Sequence, residues 1–115
     1  MKYSVSIEPH SDGDALIIHL QGELDHHSAD KLRKDIDGEL NNQDIKCCVI
    51  DMTGVSFMDS SGLGVLLGRY KLISSRGGTM SIRNPNKTID RILKMSGIYS
   101  IVEVTKYKEQ YNENK

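Results

Sequence analysis

The sequence predicts an α/β fold: a mixed β-sheet, antiparallel at its N-terminal hairpin and parallel afterwards, with amphipathic helices packed on it. Three observations predict it. Tyr3 to Ile7 alternates apolar and polar residues, Ser11-Asp-Gly-Asp14 is a turn cluster, and Ala15 to Leu20 is mostly apolar, which reads as a hairpin. Helical and strand periodicities then alternate along the rest of the chain. Cys47 to Met52 is apolar except for Asp51, which suits a strand covered on both faces, as in a parallel sheet. The 115 residues carry no repeat, linker or low-complexity tract, so 1–115 reads as one domain.

Gly22 is expected to end the second strand. Asp25 then starts a helix as its N-cap, with Ser28 three residues on. Ala29, Leu32, Ile36 and Leu40 recur at helical spacing and mark the buried face. Asn41-Asn42 closes that helix. Thr53-Gly54 breaks the strand that begins at Cys47. The next helix starts near Ser60, carries Leu63, Leu67, Tyr70 and Ser74 on one stripe with Leu66 and Ile73 flanking, and stops at Gly77-Gly78. Thr79 to Arg83 is a short strand and Asn84-Pro85 a turn. Lys87 to Met95 is an amphipathic helix through Ile89, Ile92 and Leu93, ended by Gly97. Ile98 to Val104 reads as an edge strand. The polar tail from 105 to 115, with Tyr107 and Tyr111 one turn apart, reads as a short frayed helix.

Composition excludes several classes of function. The formal net charge of −1 offers no long-range attraction for nucleic acid or acidic lipid. With no tryptophan and one phenylalanine, base stacking has no platform. No run approaches the ~20 apolar residues of a membrane span. The first residues lack the apolar core of a signal peptide, so the expected location is cytoplasmic. Cys47 and Cys48 are adjacent, a spacing that disfavours a bridge, and both read as small buried hydrophobes in a reducing compartment.

No complete catalytic motif is present. Gly54-Val-Ser56-Phe-Met58 lacks the final glycine of a nucleophile elbow, and Ser60 and Ser61 lack the first. The Walker loop is absent, and Gly62, Gly64 and Gly68 miss the dinucleotide spacing by one place. His26 and His27 are adjacent rather than three or four apart, so they do not form a helical metal pair; no metal and no cofactor are expected. The three glycines early in one helix mean that something approaches its backbone. Packing on the sheet and docking of a partner are both open readings. Asp59, Ser60 and Ser61 open this helix, where amides are unpaired and the dipole is positive. They read as cap residues or, alternatively, as a phosphorylation site.

The segments Gly22-Glu-Leu-Asp-His-His27, Ser56-Phe-Met-Asp-Ser-Ser-Gly-Leu-Gly-Val65, Gly68-Arg-Tyr-Lys71 and Met95-Ser-Gly97 change the weighting. From about Tyr3 to Val104 the chain resembles the anti-sigma factor antagonists of the STAS domain family, most closely the sporulation branch that acts on anti-sigma-F factors. The resemblance implies a STAS-type sheet and a regulator that is not an enzyme. It implies binding, in the unphosphorylated form, to an anti-sigma factor that is also a serine kinase, which frees a sigma factor. It implies phosphorylation of Ser60 as the off-switch, reversed by a PP2C-type phosphatase. It places Asp25 on the docking face, with Met58, Asp59, Ser61 and Gly62 around the modified serine. Two alternatives stand beside it: an antagonist for a general stress sigma factor, and a ligand-sensing or scaffold STAS domain with no phosphorylation cycle. A phosphate at the helix start is expected to be held by free amides, leaving the fold unchanged.

Overall fold

A computed structural model describes residues 3–9 by backbone, and 15–42 and 45–106 in full apart from a few side chains at the segment ends. The strands are β1 (Tyr3–Pro9), β2 (Ala15–Leu24), β3 (Cys47–Met58), β4 (Thr79–Arg83) and β5 (Glu103–Thr105). The helices are α1 (Ala29–Asn42), α2 (Ser60–Ser75) and α3 (Lys87–Ser96), with a 3-10 turn at Ile98–Ser100. One five-stranded sheet runs in the order β1-β2-β3-β4-β5. β1 lies antiparallel to β2, with Tyr3 opposite Gly22 and Pro9 opposite Leu16. β2, β3, β4 and β5 are mutually parallel. The turn expected at 11–14 and the helix expected around Tyr107 and Tyr111 lie outside the described residues.

Burial alternates along the strands. Leu16, Ile18, Leu20, Cys48, Ile50, Met80 and Ile82 are buried, while Ile17, His19, Cys47, Val49 and Ser81 between them are half-buried. Cover on both faces, expected for Cys47 to Met52, is therefore corrected: the helices shield one face. Parallel strands in sequential order, joined by right-handed crossovers, put every connecting helix on the same side. Cys47 is correspondingly half-exposed rather than buried, and both cysteines are free. Burial, followed by the neighbouring Cys47, pushes the Cys48 thiol up to about 12.

Two strands outrun their expected ends for a common reason. β2 passes through Gly22, which adopts φ +94°, and continues to Leu24. β3 passes through Thr53-Gly54 and continues to Met58. The pairing steps from His19–Asp51 to Gln21–Gly54, then from Gly22–Val55 to Glu23–Phe57, so β3 carries two extra residues. These are bulges, which bend a strand without ending it. Val55, between the two, and Met58, after both, point into the core.

Asp51 organises the first bulge. Its Oδ1 accepts from the Thr53 amide (3.1 Å) and hydroxyl (2.6 Å), and its Oδ2 lies 2.6 Å from His19 Nδ1. Asn84, at φ +56°, donates through its side chain to the Thr53 hydroxyl at 3.2 Å. This network was not legible in the sequence, because His19 and Asp51 meet only through strand register.

The helices follow their sequence signals with two corrections. α1 starts at Ala29, four residues after Asp25, and buries Leu32, Ile36 and Leu40 as expected. α2 buries Gly62, Val65, Leu66 and Ile73; Leu63, Leu67 and Tyr70 pack at the rim and Ser74 is exposed. Its buried arc is rotated because its first turn presses on the end of β2. Arg69 Nε, 2.9 Å from Asp37 Oδ1, ties α2 to α1. α3 is capped by Asn86, whose Oδ1 accepts from the Ile89 amide, and ends at Gly97 with φ +85°. The expected edge strand from Ile98 is instead the 3-10 turn followed by the three residues of β5.

Burial raises the Asp51 carboxyl, but the Thr53 hydroxyl and amide and then His19 outweigh it, so its pKa lies below the ordinary 3.8. A depressed folded-state pKa adds stability above the unfolded value, lost as pH falls through the folded one. Asp51→Asn should be less stable than the parent at pH 5. The gap should narrow steadily below pH 4 in denaturant titrations, and a gap that does not change with pH would contradict this role.

Candidate functional site

The site forms where the C-terminal ends of β2 and β3 lie side by side. Leu24 pairs with Met58, and the Asp59 amide donates to the Leu24 carbonyl at 3.3 Å. The turn after β2, containing Asp25, His26 and His27, therefore stands against the start of α2 with Asp59, Ser60 and Ser61.

Gly62 permits this contact. A Cβ there would lie 2.5 Å from the Leu24 carbonyl oxygen and 2.8 Å from Met58 Cγ. The approach of something to the glycine backbone, expected from the sequence, is thus packing at Gly62. At Gly64 and Gly68 an added Cβ meets nothing within 4 Å, so neither glycine is required by the fold.

Asp59 is the N-cap of α2. Its Oδ1 accepts from the amides of Ser61 (2.8 Å) and Gly62 (3.3 Å), and the Leu63 amide donates to its carbonyl at 3.1 Å. The expectation that free amides here would hold a phosphate is corrected, because the Asp59 carboxylate already occupies two of them. Ser60 is the first residue of α2 and is exposed, whereas Ser61 is half-buried. Ser60 thus offers an accessible hydroxyl directly beside a carboxylate.

Asp25 does not cap α1. Its Oδ1 accepts from the His27 amide (2.9 Å) and the Ser28 amide (3.1 Å), while Ser28 Oγ accepts from the Asp25 amide (3.1 Å) and donates to the Glu23 carbonyl (3.0 Å). This reciprocal arrangement closes a turn ahead of the helix, in the manner of a capping box. Ser28 is buried and its carbonyl accepts the first bond of α1, from Leu32. Desolvation raises the Asp25 carboxyl; the Ser28 and His27 amides and the facing His27 ring outweigh it and hold the pKa below its ordinary value.

The sequence-predicted residues separate into two layers. Asp25, Asp59, Ser60 and Ser61 come together at the surface or just beneath it. Met58 and Gly62 are buried under them. They were expected to touch a partner; having little exposed surface, they instead support those above. His26 and His27 complete the surface layer. Their ring centroids are 3.9 Å apart, with His26 Nδ1 3.8 Å from Asp59 Oδ2 and His27 Nδ1 3.8 Å from Asp25 Oδ2. Among the described residues no three histidine, cysteine, aspartate or glutamate side chains gather as metal ligands. No described helix is long and apolar enough to cross a membrane.

Residues 6–112 match the family model described as STAS domain. The chain belongs to the STAS domain family. It is 40% identical over 104 residues to an anti-sigma F factor antagonist of Paenibacillus polymyxa, covering 90% of this chain and 87% of that one. Its fold is similar to the anti-sigma factor antagonist SpoIIAA in its unphosphorylated form, with TM-score 0.78 and 27% identity over 92% of this chain and 90% of that one. It is also similar to the Bacillus cell fate determinant SpoIIAA in the phosphorylated form, with TM-score 0.72 and 27% identity over 92% and 93%. The expected α/β STAS fold is thereby established.

Two glycine substitutions separate packing from surface in this STAS domain. Gly62→Ala should lose about 1–3 kcal/mol through overpacking against the Leu24 carbonyl. Gly64→Ala should gain up to about 1 kcal/mol, the helix-propensity difference, since it meets no neighbour. Thermal unfolding measures both. Equal responses would mean that the β2–α2 contact does not constrain the first turn.

Proposed function

We propose that this STAS domain is an anti-sigma factor antagonist switched by phosphorylation of Ser60. In the unphosphorylated state it binds a kinase-type anti-sigma factor and so releases a sigma factor. The kinase inactivates it by modifying Ser60, and a PP2C-type phosphatase restores it. Likeness to the Paenibacillus polymyxa protein favours the sigma-F branch over a general stress sigma factor.

The observation that carries this reading is the exposed Ser60 hydroxyl at the first position of α2, beside Asp59 and level with the Asp25 turn. A kinase reaches that hydroxyl without unfolding the domain. A phosphate there adds about −1.5 to −2 charges to a surface that already holds two carboxylates. In a closed interface that charge has to lose water next to like charges, which is unfavourable. The surface layer of Asp25, Ser60 and Ser61 forms the centre of the proposed docking face. Met58 and Gly62 hold it in place from below.

The exposed side of α2 extends that face. Gly64 has open space over it, Gly68 likewise, and a partner helix or strand can approach the backbone closely there. Gly64→Ala separates the roles of this surface, because it should stabilise the domain while weakening its complex.

Ser60→Ala should abolish phosphate incorporation from the kinase and ATP, read by intact mass, while the variant still binds the anti-sigma factor. Asp25→Asn keeps an acceptor for the turn amides. It should leave the melting temperature nearly unchanged, since an amide oxygen can still accept from the His27 and Ser28 amides, and should weaken the complex. Phosphate recovered on Ser61 would overturn the site. Strong destabilisation of Asp25→Asn with unchanged binding would overturn the docking role. Absence of any phosphate transfer would favour a scaffold STAS domain.

A further inference from the structure

The two segments that build the site, residues 20–30 and 51–64, contain neither lysine nor arginine. Their only cation-forming side chains are His26 and His27. The other charged residues of these segments are all acidic: Glu23, Asp25, Asp30, Asp51 and Asp59. The two rings are not equivalent. His27 faces Asp25, and His26 faces Asp59, the residue before Ser60, from 3.8 Å. Asp59 Oδ1 is engaged by the first-turn amides, so the oxygen turned toward His26 is the one outside the cap.

We propose that His26 is the counter-group of a phosphoryl group on Ser60, and that it holds this group off the Asp59 carboxylate so that α2 keeps its cap. The inference rests on the assignment of Ser60 as the modified residue. The physical need is plain. A phosphate on Ser60 and the carboxylate of Asp59 compete for the same positive helix end. Without a cation nearby, the phosphate's charge would act unopposed on the Asp59 carboxylate that holds the amides of Ser61 and Gly62. An imidazolium beside Asp59 gives the phosphate an alternative partner. His26 acts here as a positioning residue, and His27, directed at Asp25, is the internal control.

The test uses the full chain with phosphoserine installed at position 60 by peptide ligation, so that it does not depend on any kinase. Phosphorus NMR follows ionisation of the phosphate between pH 4.5 and 8.5 in the parent, His26→Gln and His27→Gln. An adjacent imidazolium favours the dianion, so the parent should ionise about half to one pH unit lower than His26→Gln. His27→Gln should follow the parent. The amide resonances of Ser61 and Gly62 should stay near their unphosphorylated positions in the parent and move in His26→Gln. In the parent alone, the imidazole nitrogen titration of His26 should shift to higher pH on phosphorylation. Coincident phosphorus curves for parent and His26→Gln, a larger effect from His27→Gln, or an unshifted His26 titration would overturn the proposal. Failure of the kinase to modify Ser60 would instead count against the phosphoswitch, and mass analysis reads that separately.

Discussion

The geometry of the site depends on one close approach, that of the Leu24 carbonyl to the first turn of α2. It accepts from the Asp59 amide and lies 2.5 Å from where a Cβ on residue 62 would stand. Glycine at 62 therefore decides how near the end of β2 comes to the start of α2. The same contact joins two loops far apart in sequence, and it brings the turn carrying Asp25 and His26 against Asp59, the residue before Ser60. Buried Met58 packs against the same spot, with its Cγ 2.8 Å from where a Cβ on residue 62 would stand. The bulges in β3 serve this arrangement as well, since they turn Val55 and Met58 inward just before α2 begins.

Electrostatics then determine what a modification can do there. The helix end is positive, but its cap carboxylate already uses that field. A phosphate on Ser60 thus arrives at a place that is accessible and crowded with like charge. In the proposed switch the fold survives, because the first turn is fixed by packing at Gly62 as well as by its Asp59 cap. A docked partner would have no such reserve, because its contact with this surface would exclude the water that screens the charge. The proposed switch would accordingly work by local charge rather than by rearrangement of the sheet.

Much of this was readable from the amino acids. β4 has the expected limits, α2 starts at Ser60, and α1 buries Leu32, Ile36 and Leu40, because periodicity and caps are local signals. The adjacency of Asp25 to the Asp-Ser-Ser segment came from family resemblance alone. What the sequence hid depends on register and on packing. Gly22 and Gly54 look like strand ends, and only pairing reveals bends and bulges. Asp25 looks like a helix cap, and its turn proves to precede the helix. The His19–Asp51 pair joins adjacent strands and has no sequence spacing to announce it. Gly62 and Met58 belong to the recognised motif, but a motif does not say which of its residues point inward.

The most direct measurement is calorimetric titration of the anti-sigma factor with the purified protein, unmodified and phosphorylated on Ser60, with far-UV circular dichroism of both forms. A phosphate stripped of water beside Asp25 and Asp59 in a closed interface costs on the order of 3–4 kcal/mol. That corresponds to roughly a 10²- to 10³-fold loss of affinity, with the dichroism unchanged. Equal affinities for the two forms, or a lost complex accompanied by loss of helical signal, would contradict a switch built from local charge.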